Sequence, residues 1–101
     1  MQRKYIEAHA FSMGKWLDKL SAQDFTYFFR QPVDTVTYSD YLTVVKTPMD
    51  LSTIQKKLEQ HEYDNLELVS GVPRGLQLYL EDLGLIIHNA KAYNDKQFLP
   101  H

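Results

Sequence analysis

The stretch DLGLIIHNAKAYN, residues 82–94, carries the pattern that decides the fold. Apolar residues in and before it recur in steps of four, three, four and three, as on one face of an α-helix: Leu76, Leu80, Leu83, Ile87 and Ala90. We expect this face to be buried. The next step of four lands on Asn94, whose primary amide is costly to bury without hydrogen-bond partners.

Asn94 has an ordinary structural explanation. Asparagine tolerates the left-handed conformation with which many helices end, so Asn94 taken alone favours a C-terminal cap. The rest of the sequence decides between that cap and a role in binding.

The composition is that of one soluble globular domain. The chain has 101 residues, of which 44% are hydrophobic and 24% are charged. A formal net charge of −2 and dispersed Lys and Arg residues argue against nucleic acid as the main partner. The absence of Cys excludes disulfides and thiolate zinc sites, and no apolar run approaches the roughly 20 residues of a membrane span. We therefore predict neither a nucleic-acid partner nor a membrane partner.

Apolar periodicity predicts three helices. The first covers residues 4–21, with one face formed by Ile6, His9 or Ala10, Met13, Trp16 or Leu17, and Leu20. The second covers residues 50–60, with Asp50 as its N-cap and a buried face formed by Leu51, Ile54 and Leu58. The third covers residues 76–93 and follows an inserted loop at residues 69–75.

Residues 25–49 have no helical period and are rich in aromatic and β-branched residues. A strand is possible in TVTYSDYLTVV, but its alternation breaks at Ser39 and Asp40, and a lone hairpin is marginal in water. We predict a long ordered loop, and loops of this length are usually functional. The chain is then an all-α domain.

Sequence motifs for catalysis are missing. The sequence has no glycine-rich phosphate loop, no G-x-S-x-G and no H-E-x-x-H. Its four His residues have no metal-ligand spacing on any one helix. We predict a protein that is not an enzyme and that uses no cofactor and no metal.

Two blocks of the sequence, in order, resemble the bromodomain, the acetyl-lysine-reading four-helix module of chromatin proteins. The block FFRQPVDTV…YSDYLTVVKTPMDLSTIQKKL is similar to the family's aromatic–Pro-Val-Asp, Asp-Tyr and Lys-x-Pro-Met-Asp-Leu run. The block at 82–94 is similar to the family's Asp-Phe-x-x-Met-x-x-Asn-Cys-x-x-Tyr-Asn pattern. The resemblance covers residues 25–63 and 82–94, and it implies a left-handed four-helix bundle with a long ordered loop between helices one and two.

The resemblance also implies a binding site. By position, the side-chain NH₂ of Asn94 would donate to the acetyl carbonyl, and Tyr41 would reach the same oxygen through an ordered water. Tyr93 would pack behind Asn94, and the acetyl group would lie against three wall residues, Val33, Phe29 and Pro32. The implied partner is an acetylated histone tail or another acetylated nuclear protein, bound by a monomeric nuclear protein.

Departures from the family pattern affect the walls of this site. The family's Trp-Pro-Phe shelf aligns with Tyr27, Phe28 and Phe29. The loop between Val36 and Tyr41 is shorter than in better-known members, so Tyr38 is the candidate for the wall position of leucine type. Leu99 is the candidate for the gatekeeper after the helix, with two alternatives left open, Phe98 and Pro100.

A fourth helix is expected from the resemblance, and we expect the natural chain to continue past His101 into it. It would cover an apolar seam formed by Met13, Trp16 and Leu20 of the first helix and by Leu76, Tyr79, Leu83 and Ile86 of the third. The alternative function is that of a bromodomain-shaped scaffold that packs against partner proteins, with weak or lost acetyl-lysine binding.

Overall fold

The computed structural model describes the backbone of residues 2–23 and 29–98, and the side chains of residues 8–23 and 29–94. Four helices and one small hairpin follow one another along these residues: α1 (Gln2–Ser21), α2 (Tyr41–Val44), α3 (Leu51–Glu59), β1 (Leu68–Val69), β2 (Val72–Pro73) and α4 (Arg74–Phe98). Helix α1 packs on α3, and both α2 and α3 pack on α4. The predicted all-α class is confirmed.

No helix within the described residues is both long enough and apolar enough to cross a membrane.

Helix α3 begins where its N-cap predicts. The Asp50 carboxylate accepts the backbone N–H of Thr53 at 3.0 Å, and it also accepts the hydroxyl groups of Ser52 and Thr53. Three apolar side chains of the helix are buried in the core, as predicted: Leu51, Ile54 and Leu58. The cap and the buried face together fix the orientation of the segment that leads into α3.

The connection between α3 and α4 differs from the loop predicted at residues 69–75. A hairpin pairs Leu68 with Pro73 and Val69 with Val72, and α4 already begins at Arg74. The two turn residues both have positive φ, 55° at Ser70 and 80° at Gly71. A two-residue turn of this kind matches the twist of paired strands, so the Ser-Gly step closes a hairpin instead of an open loop.

The predicted loop at residues 25–49 contains a helix of its own, the short α2. Both the backbone N–H and the hydroxyl of Thr43 donate to the carbonyl of Asp40, and the Val45 N–H donates to the carbonyl of Tyr41. These local bonds pair backbone N–H and C=O groups in a segment whose apolar residues have no helical period. Helix α2 lies against α4.

The buried face of α4 is only partly the one predicted, since Leu76 and Leu83 are half-buried and pack against the core. Leu80 and Ile87 are 54% and 71% exposed, whereas Asp82 and Asn89 are buried. A second stripe, in steps of three, four and three, provides the buried face: Tyr79, Asp82, Ile86 and Asn89. Apolar residues occupy both stripes, so periodicity alone leaves two possible faces. Asp82 and Asn89 select the buried one because each finds a hydrogen-bond partner there.

The residues of the apolar seam predicted between α1 and α4 are not all buried. Met13, Tyr79 and Ile86 lie in the core, while Trp16 is 67% exposed. On α1 the alternative Leu17 is the buried residue, not Trp16. Half-buried side chains complete the seam: Leu20, Leu76 and Leu83. Any segment after residue 98, including the expected fourth helix, lies outside the described residues.

A hydrogen-bonded cluster holds α4 against the other helices. The Asp82 carboxylate accepts the Tyr63 hydroxyl at 2.5 Å and the Lys57 ammonium at 2.6 Å. The Tyr79 hydroxyl donates to the carbonyl of Met13 at 3.1 Å, and the His9 imidazole donates to the carbonyl of Tyr63 at 2.9 Å. Burial raises the pKa of Tyr63 well above its usual range, and the bond to Asp82 raises it further. The hydroxyl therefore stays a donor, and α4 has a fixed position relative to α1 and α3.

Candidate functional site

The C-terminal half of α4 is anchored to the segment that precedes α3. Asn89 is buried, and its side-chain NH₂ donates to the carbonyl of Thr47 at 2.8 Å across 42 positions of sequence. Asn89 is not among the site residues predicted from the sequence. The sequence pattern that could have identified it is the second helical stripe. Its polar residues, Tyr79, Asp82 and Asn89, need hydrogen-bond partners if that stripe is buried.

The loop opposite α4 is folded by Asp34. Its carboxylate accepts the Thr37 hydroxyl at 2.6 Å and the backbone N–H of Val36 at 3.0 Å, and its carbonyl accepts the Tyr38 N–H at 2.9 Å. The Thr37 hydroxyl, followed by the backbone N–H groups of Val36 and Thr37, holds the pKa of the Asp34 carboxyl below its usual value. The loop is thereby turned so that Tyr38 and Tyr41 come to the same side.

Three tyrosines meet where this loop faces the end of α4. The Tyr93 ring lies edge-on to Tyr41, with ring centroids 5.1 Å apart, and edge-on to Tyr38 at 6.2 Å. Tyr41 is buried and Tyr38 is half exposed. Burial raises the pKa of the Tyr41 hydroxyl, which therefore remains protonated and able to donate at neutral pH.

A cavity of about 910 Å³ opens between the loop and α4. Seven of the predicted site residues line it: Asn94, Tyr41, Val33, Phe29, Pro32, Tyr93 and Tyr38. Three apolar residues that the sequence analysis did not assign to the site complete its walls, Met49, Ile86 and Ala90. Three polar residues also line it, Arg30, Gln31 and Asp34.

The remaining predicted site residues lie outside the part of the chain that the structure describes. Tyr27 and Phe28 of the shelf and Leu99, the candidate gatekeeper, lie outside the described residues. The same is true of Pro100 and of the Phe98 side chain. Asn94 itself is exposed at the mouth of the cavity. The Asn94 amide is therefore not buried in the core without hydrogen-bond partners, because it lies at an open pocket.

The cavity has the chemistry of a site for a neutral, partly apolar group. Its walls are mainly aromatic and aliphatic. The primary amide of Asn94 and the protonated hydroxyl of Tyr41 supply hydrogen-bond donors. Within the described residues, no group of three or more His, Cys, Asp or Glu side chains is arranged to hold a metal ion.

The chain is similar in sequence to known proteins. The sequence profile of the bromodomain matches residues 13–101. A bromodomain-containing protein homolog of Drosophila melanogaster is 40% identical over 85 residues, which are 84% of this chain and 5% of that protein. The human bromodomain and PHD finger-containing protein 3 is 36% identical over 85 residues, 84% of this chain and 6% of that protein.

The fission yeast Schizosaccharomyces pombe has a further relative, the SWR1 complex bromodomain subunit bdf1. It is 40% identical over 82 residues, which are 79% of this chain and 12% of that protein. The chain thus spans a small part of the length of each of these relatives. The profile match and the identities show that this chain belongs to the bromodomain family.

Proposed function

We propose that this chain is an acetyl-lysine recognition module that binds acetylated histone tails or other acetylated nuclear proteins. Bromodomains are reader modules of chromatin proteins and not enzymes, and the chain belongs to that family. The observation that carries the proposal is that Asn94 and Tyr41 line one cavity whose remaining walls are largely apolar. The module acts in the nucleus as a monomer, and its partner is an acetylated peptide, without direct nucleic-acid specificity.

The chemistry of acetyl-lysine explains why such a cavity would select it. Acetylation converts a hydrated cation into a neutral secondary amide with an apolar methyl group and an apolar stem. The side-chain NH₂ of Asn94 donates to the acetyl carbonyl, and the Tyr41 hydroxyl reaches the same oxygen through an ordered water. Val33, Phe29 and Pro32 enclose the methyl group. Unmodified lysine would lose its hydration here and meet a donor instead of an acceptor.

Asn94→Ala is the test of the proposal. We expect an affinity loss of about 5- to 150-fold for an acetylated histone-tail peptide, because losing one partner of such a hydrogen bond costs ~1–3 kcal/mol. Wild-type binding should itself lie roughly between tens of micromolar and millimolar, since one side chain buries few atoms. Isothermal titration calorimetry measures both, and the fold should be retained because Asn94 is exposed.

Two controls belong with this titration. The same peptide without the acetyl group should not bind the wild type measurably, and the melting temperature of Asn94→Ala should match that of the wild type. Equal affinity of the variant and the wild type for the acetylated peptide would remove Asn94 from the site. Wild-type protein that does not distinguish the two peptides would instead favour the scaffold alternative.

Tyr41→Phe is expected to weaken acetyl-peptide binding less than Asn94→Ala does. The proposed contact of the hydroxyl with the carbonyl is indirect, and a displaced water can re-bond to other polar groups. Phenylalanine keeps the ring that packs edge-on against Tyr93 at 5.1 Å, so the pocket wall remains. The same calorimetric series gives the comparison. If Tyr41→Phe proves the more damaging change, Tyr41 contacts the ligand directly.

A further inference from the structure

A hydrogen bond joins the loop to α4 beside the cavity. The Tyr93 hydroxyl donates to Oδ1 of Asp40 at 2.6 Å, across 53 positions of sequence. Asp40 directly precedes Tyr41, and Tyr93 directly precedes Asn94. The bond therefore connects the immediate neighbours of the two residues that we propose to hold the acetyl carbonyl.

Asp40 does not use its carboxylate in the way its position suggests. It is the N-cap residue of α2, where an Asp side chain ordinarily accepts a backbone N–H of its own helix, yet it makes no such side-chain bond. The backbone carbonyl of Asp40 takes over instead and accepts the N–H and the hydroxyl of Thr43. The carboxylate accepts the Tyr93 hydroxyl of α4.

Ring contacts reinforce the same junction. Tyr93 lies edge-on to Tyr38, with an interplanar angle of 88°, and edge-on to Tyr41, with an angle of 67°. Edge-to-face contacts are a favourable geometry for aromatic pairs. Residues 38–41 thus hold Tyr93 through two rings and a carboxylate.

We propose that Asp40 is a positioning residue for acetyl-lysine binding. By accepting the Tyr93 hydroxyl, it holds residues 38–41 against the end of α4 and fixes the spacing between Tyr41 and Asn94. Two donors can bind one carbonyl oxygen only if their spacing is kept within about 0.5 Å. Supporting hydrogen bonds provide this precision. A hydroxyl bound to a carboxylate is a charge-assisted bond, well suited to this task. The inference rests on the proposed function of the cavity.

The bond should matter for affinity much more than for global stability. Asp40 is exposed, and the junction lies outside the core formed by α1, α3 and α4. Loss of an exposed bond opens the structure locally and leaves cooperative unfolding of the core nearly unchanged. This difference separates a positioning role from a purely structural one.

The test uses the affinity of an acetylated histone-tail peptide, measured by calorimetry. We expect Asp40→Ala and Tyr93→Phe each to weaken binding about three- to tenfold. The double variant should be no weaker than the weaker single variant, because both changes remove one shared bond. Asp40→Asn keeps an oxygen that can accept the hydroxyl but loses the charge that strengthens the bond, so its affinity should lie between those of the wild type and of Asp40→Ala. Asp18→Ala, which removes an exposed carboxylate on α1, is the matched control and should bind like the wild type.

Either of two affinity results would overturn the proposal. One is wild-type affinity in Asp40→Ala. The other is an Asp40→Asn variant as weak as Asp40→Ala, which would assign the effect to lost charge and not to a lost acceptor. Melting temperatures of the variants should stay within a few degrees of the wild type, and a large fall in Asp40→Ala would mean a general structural role.

The free protein supplies a readout that does not depend on the proposed function. In ¹⁵N-resolved NMR spectra, Asp40→Ala should shift or broaden the side-chain amide signals of Asn94, and Tyr93→Phe should do the same to the backbone signal of Tyr41, while Asp18→Ala should change neither. If the wild type fails to bind the acetylated peptide, the proposed function is wrong, and these spectra still test whether Asp40 positions the two residues. Unchanged signals in Asp40→Ala would overturn the positioning role.

Discussion

Gly75→Ala is expected to destabilise the domain by about 3 kcal/mol or more, a large share of the ~5–15 kcal/mol that holds a typical domain folded. A Cβ atom at Gly75 would lie 1.9 Å from the carbonyl oxygen of Tyr63 and 3.0 Å from that of Asn65. The Gly75 N–H also donates to the Asn65 carbonyl at 2.7 Å. Because the obstacle is backbone, no side-chain rotation relieves the clash, and the start of α4 must move away from Tyr63.

Chemical denaturation measures the loss, and the melting temperature should fall by more than about 10 °C. Gly84→Ala is the matched control on the same helix. Nothing lies within 4 Å of a Cβ atom at Gly84, and alanine is the better helix former, so stability should rise by up to ~1 kcal/mol. Wild-type stability in Gly75→Ala would mean that the start of α4 does not approach Tyr63 so closely.

The features that could be predicted best from the sequence are those controlled by local interactions. The N-cap at Asp50 and the buried face of α3 depend on residues within a few positions of each other, and both are confirmed. The all-α class follows from apolar periodicity over whole helices and is confirmed too. Such features can be predicted because a helix start and a helical face are encoded by neighbouring side chains.

The face of α4 shows where local patterns fail. Leu80 and Ile87 belong to one apolar stripe, and Tyr79 and Ile86 belong to another, so either could have been buried. The choice depends on Asp82 and Asn89, whose partners lie 19 to 42 positions away. The need for glycine at position 75 has the same origin, because the nearby carbonyl belongs to Tyr63.

In the candidate site, too, the residues could be predicted from motifs, but the long-range contacts could not. Asn94, Tyr41 and Val33 were assigned from motif positions, and they line one cavity. Asp40 was only part of an Asp-Tyr motif in the sequence, because its partner Tyr93 lies 53 positions away. A motif indicates which residues meet, whereas the bonds that hold them in place appear only with the folded chain.

Asp82→Ala is the second change with a large expected effect, a loss of about 3–5 kcal/mol in the free energy of unfolding. Asp82 is 8% exposed and accepts both the Tyr63 hydroxyl and the Lys57 ammonium. Its removal leaves the hydroxyl of Tyr63, a fully buried residue, without an acceptor, and leaves the partly buried ammonium without its counterion. Urea denaturation measures the difference from the wild type.

Three further variants show which part of the cluster carries the loss. Glu81→Ala is the control, because Glu81 is the exposed neighbour on α4, 3.7 Å from Arg74, and its loss should cost less than ~1 kcal/mol. Asp82→Asn keeps an acceptor but no charge and should be intermediate. Tyr63→Phe removes only the hydroxyl and should cost less than Asp82→Ala, since no buried group loses its only charge partner. Should Asp82→Ala cost no more than Glu81→Ala, this cluster does not hold α4 in place, and the packing of Tyr79 and Ile86 must do so alone.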